Sequence, residues 1–353
     1  MMGTVLVSVL VVVVATIAIW LGSEWLEEAS AKLAVYYDLP PVVQGGIIAA
    51  AGSSFPELAS VVFAALAGSF DLGVGAIIGS AIFNVLVIPA LAVLIPGRPM
   101  DATRTLVHKE ALFYLLAVVV FFFTLALALI YNPTVSGLTA TANGSLTATP
   151  AGSSLSGELT RPLVVFPLLV YVLYLFLQWQ DTADYAGRIE TIRVDVVRSW
   201  GKLGAGLFVI LVAVHQLVDA VLTLGETAGT PEFLWGVTIV AAATSLPDAL
   251  VSVQAASKAR DVASIANVLG SNTFDLLVVI PIGVLLTGAA SVNFEIAAPM
   301  MGCLVIATTL LFVALRTDLV LSRRESYVLL GSYGLFVGWA TLEAVGVIGF
   351  LGA

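Results

Sequence analysis

Two carboxylates set in the middle of apolar stretches carry the first chemical signal in this sequence. Glu57 stands in Ser53-Ser54-Phe55-Pro56-Glu57-Leu58 and Asp248 in Thr244-Ser245-Leu246-Pro247-Asp248-Ala249, each directly after a proline and close behind a pair of hydroxyls. An ionised side chain at the centre of a bilayer costs at least about 2.5–3.5 kcal/mol on insertion scales, which disfavours an unpaired structural role. No Lys or Arg lies in these two segments, so the counter-charge must be a proton or a bound metal ion. Each proline lacks an N–H and collides with the carbonyl four residues earlier. Pro56 and Pro247 are therefore expected to free the carbonyls of Gly52 and Ala243 and to break their helices. In lipid such an opening is tolerated where it lines a cavity or is satisfied by neighbours, here Ser53, Ser54, Thr244 and Ser245.

A second pair of motifs adds donors of the same kind. Gly79-Ser80-Ala81-Ile82-Phe83-Asn84 is echoed by Gly270-Ser271-Asn272-Thr273-Phe274-Asp275. Together the candidates are the carboxylates of Glu57, Asp248 and Asp275, the amide oxygen of Asn84, the hydroxyls of Ser80 and Ser271, and freed carbonyls. Oxygen-only ligation suits Ca2+, Na+ or K+, while the lack of a thiol or nearby His disfavours zinc and copper. With all three acids ionised the site carries −3, which Ca2+ plus one monovalent ion, or three Na+, would neutralise; Ca2+ alone leaves one carboxylate to be protonated. Two ion sets that exclude one another at such a site would make an antiporter, because an empty site left at −3 resists closing into a low-dielectric midplane.

These donors need spanning helices to hold them. The chain has 353 residues, 60% hydrophobic and only 10% charged, against about 25% charged for a soluble domain, so an integral membrane protein is expected. Apolar segments read at 4–22, 42–66, 71–95, 109–131, 161–179, 203–224, 232–256, 262–287, 291–315 and 326–351, which predicts an all-α protein of ten transmembrane helices with helices 2 and 7 broken. The first is read as a mature span, since only four uncharged residues precede it. The motif pairs Ser54/Ser245, Pro56/Pro247, Glu57/Asp248, Ser80/Ser271 and Asn84/Asp275 share one offset of 191, the mark of a duplication. Five helices per copy is an odd number, so the copies must insert as inverted repeats, an architecture that supports alternating access around a midplane site. The domains read as 1–180, including an outer loop at 132–160, a cytoplasmic connector at 181–202, and 203–353. Outside termini place thirteen of the fourteen Lys and Arg in the cytoplasm, leaving only Arg161 outside.

The remaining features are quieter. The 132–160 loop, rich in Thr, Ser, Ala and Gly, reads as a flexible tether without a core and carries a formal glycosylation sequon at Asn143. Cys303 is single, which forbids an internal disulfide, and reads as a small core residue. Gly75 and Gly79 are spaced for close helix packing. His215 and Asp219 are four apart and read as a solvated pair near a helix end, and Glu343 has no counterpart in the other half. A net charge of −9 argues against nucleic acid as a partner.

At these motifs the sequence resembles the cation/calcium exchanger superfamily, whose two repeats carry Gly-Ser/Thr-Ser-x-Pro-Glu/Asp followed by Gly-Ser-x-x-Phe-Asn/Asp. AAGSSFPEL with GSAIFN, and TSLPD with GSNTFD, are most similar to the potassium-dependent sodium/calcium exchanger branch. The resemblance implies a secondary antiporter exchanging Na+ for Ca2+ across a cell or plasma membrane, with K+ co-transport as an option, and no enzymatic activity or cofactor. Carried over by position, Glu57 and Asp248 would be the central Ca2+ carboxylates and Asn84 and Asp275 would complete the site. Ser53, Ser54, Ser80, Thr244, Ser245 and Ser271, with the carbonyls of Ala50 and Ala241, would line the Na+ positions. Ala243 and Ala81 depart from the residues usual in the family. The 181–202 connector is too short for a large calcium-sensing domain. A sister branch exchanging Ca2+ for H+ has Asn where this chain has Ser54 and Ser245, and the hydroxyls favour sodium. An intramembrane aspartyl protease using Asp248 and Asp275 would leave Glu57 unexplained. The sequence leaves the oligomeric state open.

Overall fold

The computed structural model describes residues 2–37, 50–104, 106–135, 138–140, 146–148, 155–182, 195–344 and 347. The sequon at Asn143, much of the 181–202 connector, the start of the second apolar segment and the end of the last lie outside them. In the first half the helices are α1 (Met2–Tyr36), α2 (Ala50–Ser53), α3 (Phe55–Leu66), α4 (Phe70–Leu86), α5 (Ile88–Leu94), α6 (Leu112–Tyr131) and α7 (Arg161–Thr182). The second half contributes α8 (Val196–Ala228), α9 (Glu232–Trp235), α10 (Ala241–Thr244), α11 (Leu246–Ser257), α12 (Asp261–Phe274), α13 (Ile280–Thr287), α14 (Phe294–Arg316) and α15 (Arg323–Ala344). Short strands join them: β1 (Met100–Asp101), β2 (Pro133–Val135), β3 (Leu138–Ala140), β4 (Leu146–Ala148), β5 (Leu155–Thr160), β6 (Ala289–Asn293) and β7 (Val320–Leu321). Among the described residues seven helices are long and apolar enough to cross a membrane, eight if the bent pair Glu232–Thr244 and Leu246–Ser257 counts as one span. Helix also occurs in the other two expected segments, as the shorter α3 and as α15, which begins with Arg323, Arg324 and Glu325.

Both expected breaks are present. The helices are interrupted at Ser54 (φ −90°, ψ 11°) and at Ser245 (φ −79°, ψ −6°, still right-handed helical), each followed by a helix with proline in its first turn, and the second break bends its span by 44°. The physical cause is the missing N–H of Pro56 and Pro247. Element boundaries obey the motif offset: α2 and α10, α3 and α11, and α4 and α12 all start 191 residues apart. After the sites the offset becomes 192, with Ile88-Pro89 matched by Ile280-Pro281, and the π-helical turn Asp275–Val279 takes up the additional residue of the second copy.

The spans Phe70–Leu94 and Asp261–Thr287 are the two most deeply buried and run antiparallel through the middle of the bundle, since Asp71 contacts Asn293 and Arg98 contacts Asp261. Backbones approach closely at the crossing of α4 with the segment Glu232–Val240. A Cβ on Gly75 would stand 2.5 Å from the Phe233 carbonyl oxygen, and one on Gly79 or Gly236 would strike the backbone of Val237 or Leu72. Gly75 and Gly79 are thus packing residues, as their spacing suggests.

Several expectations change. The first and sixth apolar segments continue well beyond the bilayer-length runs, α1 to Tyr36 and α8 back to Val196. Their charged extensions are held together by Glu28, which pairs with Lys32 on its own helix and with Lys202 on α8. The tether is in part ordered: β5 pairs antiparallel with both β2 and β6, and Leu159 is buried. The ladder supplies the backbone hydrogen bonds that a core would otherwise have to provide. On the other face β1 pairs with β7, so the strand after each central span pairs with the later connection of the opposite half.

Candidate functional site

The two broken helices and the two central spans bring the predicted donors together. Ser53, Ser54, Glu57, Ser80, Asn84, Thr244, Ser245, Asp248, Ser271 and Asp275 are all buried. Two hydroxyl contacts join the halves and are copies of one another: Ser54 with Ser271 at 2.9 Å, and Ser245 donating to Ser80 at 2.7 Å. Ser271 also donates to Asp248 Oδ2 at 2.6 Å, and Ser53 lies within hydrogen-bonding reach of Asp248. Asn84 Nδ2 reaches the same Asp248 oxygen at 3.4 Å and the Asn272 side-chain oxygen at 2.9 Å.

The other diagonal is bare. The Thr244 hydroxyl lies near Glu57 and that of Ser54 near Asp275, but none of the four carboxylate oxygens has a partner at full hydrogen-bond geometry, and Asn84 Oδ1 and Asp248 Oδ1 are likewise unmatched. Glu57 lies close enough to Asp275 and Asp248 for their charges to repel. Six acceptor oxygens buried without donors are costly unless a positive charge meets them, since each buried polar group left unsatisfied costs about 1–3 kcal/mol and charged groups more. Carbonyl and amide oxygens of the same class bind hard cations, and protons could be shared between the acids in their place.

Two details of the geometry bear on these donors. Among the described residues no three acids converge tightly enough to hold a metal by themselves. The other oxygens beside these acids are hydroxyl and amide oxygens, those of Ser271 and Asn84 lying against Asp248. The Ala241 carbonyl accepts from the Ser245 N–H at 3.0 Å and the Thr244 hydroxyl at 3.4 Å, and the same hydroxyl bonds Val240 O at 3.1 Å and lies within reach of Glu57. Ala50 opens α2, at the equivalent place in the first copy.

Asn272 was not singled out by the sequence. It accepts from Asn84, and donates to Ala81 O at 3.1 Å and to the Tyr114 hydroxyl at 3.2 Å, fixing Asn84 against α6. The signal was the departure of Ala81 from the family's asparagine: the copy lacking that amide on one half keeps it on the other. His215 and Asp219 lie 3.0 Å apart, both more than half exposed, with the imidazole stacked on Phe63, which fits the solvated pair and keeps them away from the centre. Glu343 is buried on α15.

A bundle of apolar helices with two proline-broken spans and an acidic, oxygen-lined centre is that of an integral membrane transporter. The family described as sodium/calcium exchanger protein matches residues 7–180 and 198–342, and the chain belongs to it. The chain is 26% identical over 294 residues to the inner membrane protein YrbG of Escherichia coli, covering 80% of this chain and 81% of that protein. It is 28% identical over 289 residues to the putative antiporter CaxA of Alkalimonas amylolytica, covering 79% and 80%. Sodium/potassium/calcium exchanger 4 of Mus musculus is 38% identical over 95 residues, which is 27% of this chain and 15% of that protein. The fold is similar to that of the sodium-calcium exchanger NCX_Mj soaked with Na+ and Sr2+, with a TM-score of 0.61 at 24% identity over 95% of this chain and 99% of the other.

Proposed function

We propose that this exchanger-family protein is a secondary antiporter that moves Ca2+ against Na+ by alternating access, with Glu57, Asp248, Asp275 and Asn84 binding the ions and Ser53, Ser54, Ser80, Ser245 and Ser271 completing the sodium positions. Thr244, Ala50 and Ala241 stand at the edge of that set. The observation that carries the reading is the pair Glu57 and Asp275, four buried carboxylate oxygens close enough for their charges to repel, with only the Thr244 and Ser54 hydroxyls near them and no partner at full hydrogen-bond geometry. Cations relieve that repulsion, and two alternative cation sets exclude one another there. The matched boundaries of the two halves and the exchanged pairings β1–β7 and β5–β6 support ten spans in two inverted five-helix repeats, 1–180 and 203–353, joined through 181–202. The Lys and Arg distribution supports termini on the outer side of a cell membrane.

Uptake of radiolabelled Ca2+ into proteoliposomes under separately imposed Na+, K+ and H+ gradients tests this. An outward Na+ gradient is expected to drive uptake, and K+ on the side of Ca2+ to raise it if K+ travels with it. Uptake on a pH gradient with no Na+ present would sink the sodium coupling and favour Ca2+/H+ exchange. Unchanged flux in Glu57→Gln would refute the site.

A further inference from the structure

The motif offset of 191 extends to α1 and α8 and uncovers a difference between the copies. Ile19, Leu26 and Leu33 of α1 fall on Ile210, Leu217 and Leu224 of α8, and all six are buried. Between them Ser23, Glu27 and Ser30, spaced along one helix face, fall on Val214, Val218 and Val221. Ser23 Oγ is buried without a hydrogen-bond partner, where α8 has a valine that needs none. The contrast continues in the helices behind: Ser252, Gln254 and Asn267 stand where the first copy has Val61, Phe63 and Ala76. Asn267 donates to Ser252 Oγ at 3.1 Å and lies within hydrogen-bonding reach of Asp248. Polar groups thus continue from the site toward the face of Lys258, while the matching Val61 and Ala76 carry no polar side-chain atom.

Packing follows this division. On the face of Lys258 a cavity of about 320 Å³ lies between α1 and α11, lined by Trp20, Glu24, Glu27, Gln254, Lys258 and Arg260, and it reaches Pro247, next to Asp248. On the opposite face four of the matching positions, Ala59, Ala64, Leu72 and Val218, are packed in one apolar cluster with Phe63 against it. Lys258 and Arg260 are exposed, whereas Glu27 is half-buried and close enough to Glu24 and Asp248 for their charges to repel. Glu27 has no ion pair among the described residues, because Glu28, one residue on, takes both Lys32 and Lys202. An uncompensated acid in a cleft with low-dielectric walls concentrates cations.

We propose that Glu27 is a one-sided entry acid: it gathers hard cations in the cavity between α1 and α11 and passes them to Asp248, so that exchange from that face depends on it and exchange from the other does not. Glu27 does not complete the buried site; it is a positioning residue that sets the cation supply from one side. The inference rests on antiport at the central site, and on the Lys and Arg distribution the face concerned is the cytoplasmic one.

Thiol modification reads the potential of the cavity without transport. In a Cys303→Ser background in nanodiscs, Gln254→Cys is treated with cationic, neutral and anionic methanethiosulfonates, with 2-mercaptoethanol as the free-thiol reference. At low salt the ratio of cationic to anionic rates is expected to exceed the reference about tenfold, and Glu27→Gln to lower that ratio by about three- to tenfold, Glu27→Asp much less. A ratio like that of the free thiol, a thiol that no reagent reaches, or a ratio indifferent to Glu27→Gln would overturn the proposal. Initial rates of radiolabelled Ca2+ flux from each face of oriented proteoliposomes form the second arm. Glu27→Gln is expected to raise the half-saturating Ca2+ concentration about tenfold from the face of Lys258 and to leave it within about twofold from the other, with the effect on this concentration and not on the maximal rate. Values unchanged or equally raised at both faces, or a fall in maximal rate alone, would refute a one-sided role. Because labelling needs no ion gradient, the two readings fail separately: a Glu27-dependent charge ratio in a protein that carries no Ca2+ sinks only the proposed substrate, and Na+-driven flux through a neutral cavity sinks only the entry acid.

Discussion

The two diagonals of the buried site come from one duplicated motif yet behave differently. On one, Asn84 faces Asp248, and the carboxylate is held by Ser271 and the amide. On the other, the equivalent positions are Asp275 and Glu57, two acids that repel one another and have only the Ser54 and Thr244 hydroxyls near them. Changing one amide to a carboxylate turns a donor into a second anion, so the same geometry passes from partly bonded to charge-repelled. The shared motif supplies the frame, and the exchange of Asn84 for Asp275 between its copies puts a second anion on one diagonal.

The largest effect expected is from the frustrated diagonal itself. Glu57→Gln should reduce Na+-driven uptake of radiolabelled Ca2+ to the level of protein-free liposomes, because removing one partner of a buried ionic contact costs about 3–5 kcal/mol. Flux within tenfold of the parent would contradict the assignment. A comparable loss of folding, not transport, is expected from Gly79→Ala, whose methyl would strike the Val237 backbone; thermal unfolding followed by tryptophan fluorescence should drop by several degrees, and an unchanged midpoint would show that the crossing can spread.

Making the diagonals alike is a sharper comparison. Asp275→Asn should raise the unfolding midpoint in chelator-treated protein, since it removes the Glu57–Asp275 repulsion, while Asn84→Asp should lower it by a similar amount, each by about 1–3 kcal/mol. Added Ca2+ should stabilise the parent protein and do less for Asp275→Asn, because only the folded state offers the site. Equal responses of the two variants would mean that the diagonals are not distinct. The smallest effects belong to parts the halves share or the surface owns. Ser54→Ala and Ser245→Ala should each cost about 1 kcal/mol and match one another, as symmetric hydroxyl contacts. His215→Ala should shift stability by less than about 0.5 kcal/mol, since its pairing with Asp219 is exposed.

Much of the site was legible in one dimension because a mid-membrane carboxylate has few explanations and because the copies keep a gapless register from Ser54 to Asn84. The breaks were legible for the same local reason, a proline without an N–H. The extent of α1 and α8 was not, since Glu28, Lys32 and Lys202 look like loop charges until α1 and α8 lie side by side. Nor was the order in 133–135 and 155–160, whose residues have no apolar periodicity: the two stretches pair with each other, and 156–160 pair again with 289–293 in the opposite half. Asn272 was hidden by a neighbour effect: its partners Asn84, Ala81 and Tyr114 are distant in sequence.

What the sequence alone determined is the inventory: an apolar chain, two copies of one motif, two breaks, and three acids that water does not reach. These follow from composition and from the local chemistry of proline and carboxylate. Tertiary structure decided which of these groups meet. Only the antiparallel pairing of the central spans shows that one oxygen of Asp248 is held by Ser271 and Asn84 while Glu57 and Asp275 lack such a bond, and that Asp261 has an arginine where Asp71 has another acid. Hydrogen bonds and ion pairs act over a few ångströms in space, and no spacing along the chain encodes that distance between residues drawn from opposite halves.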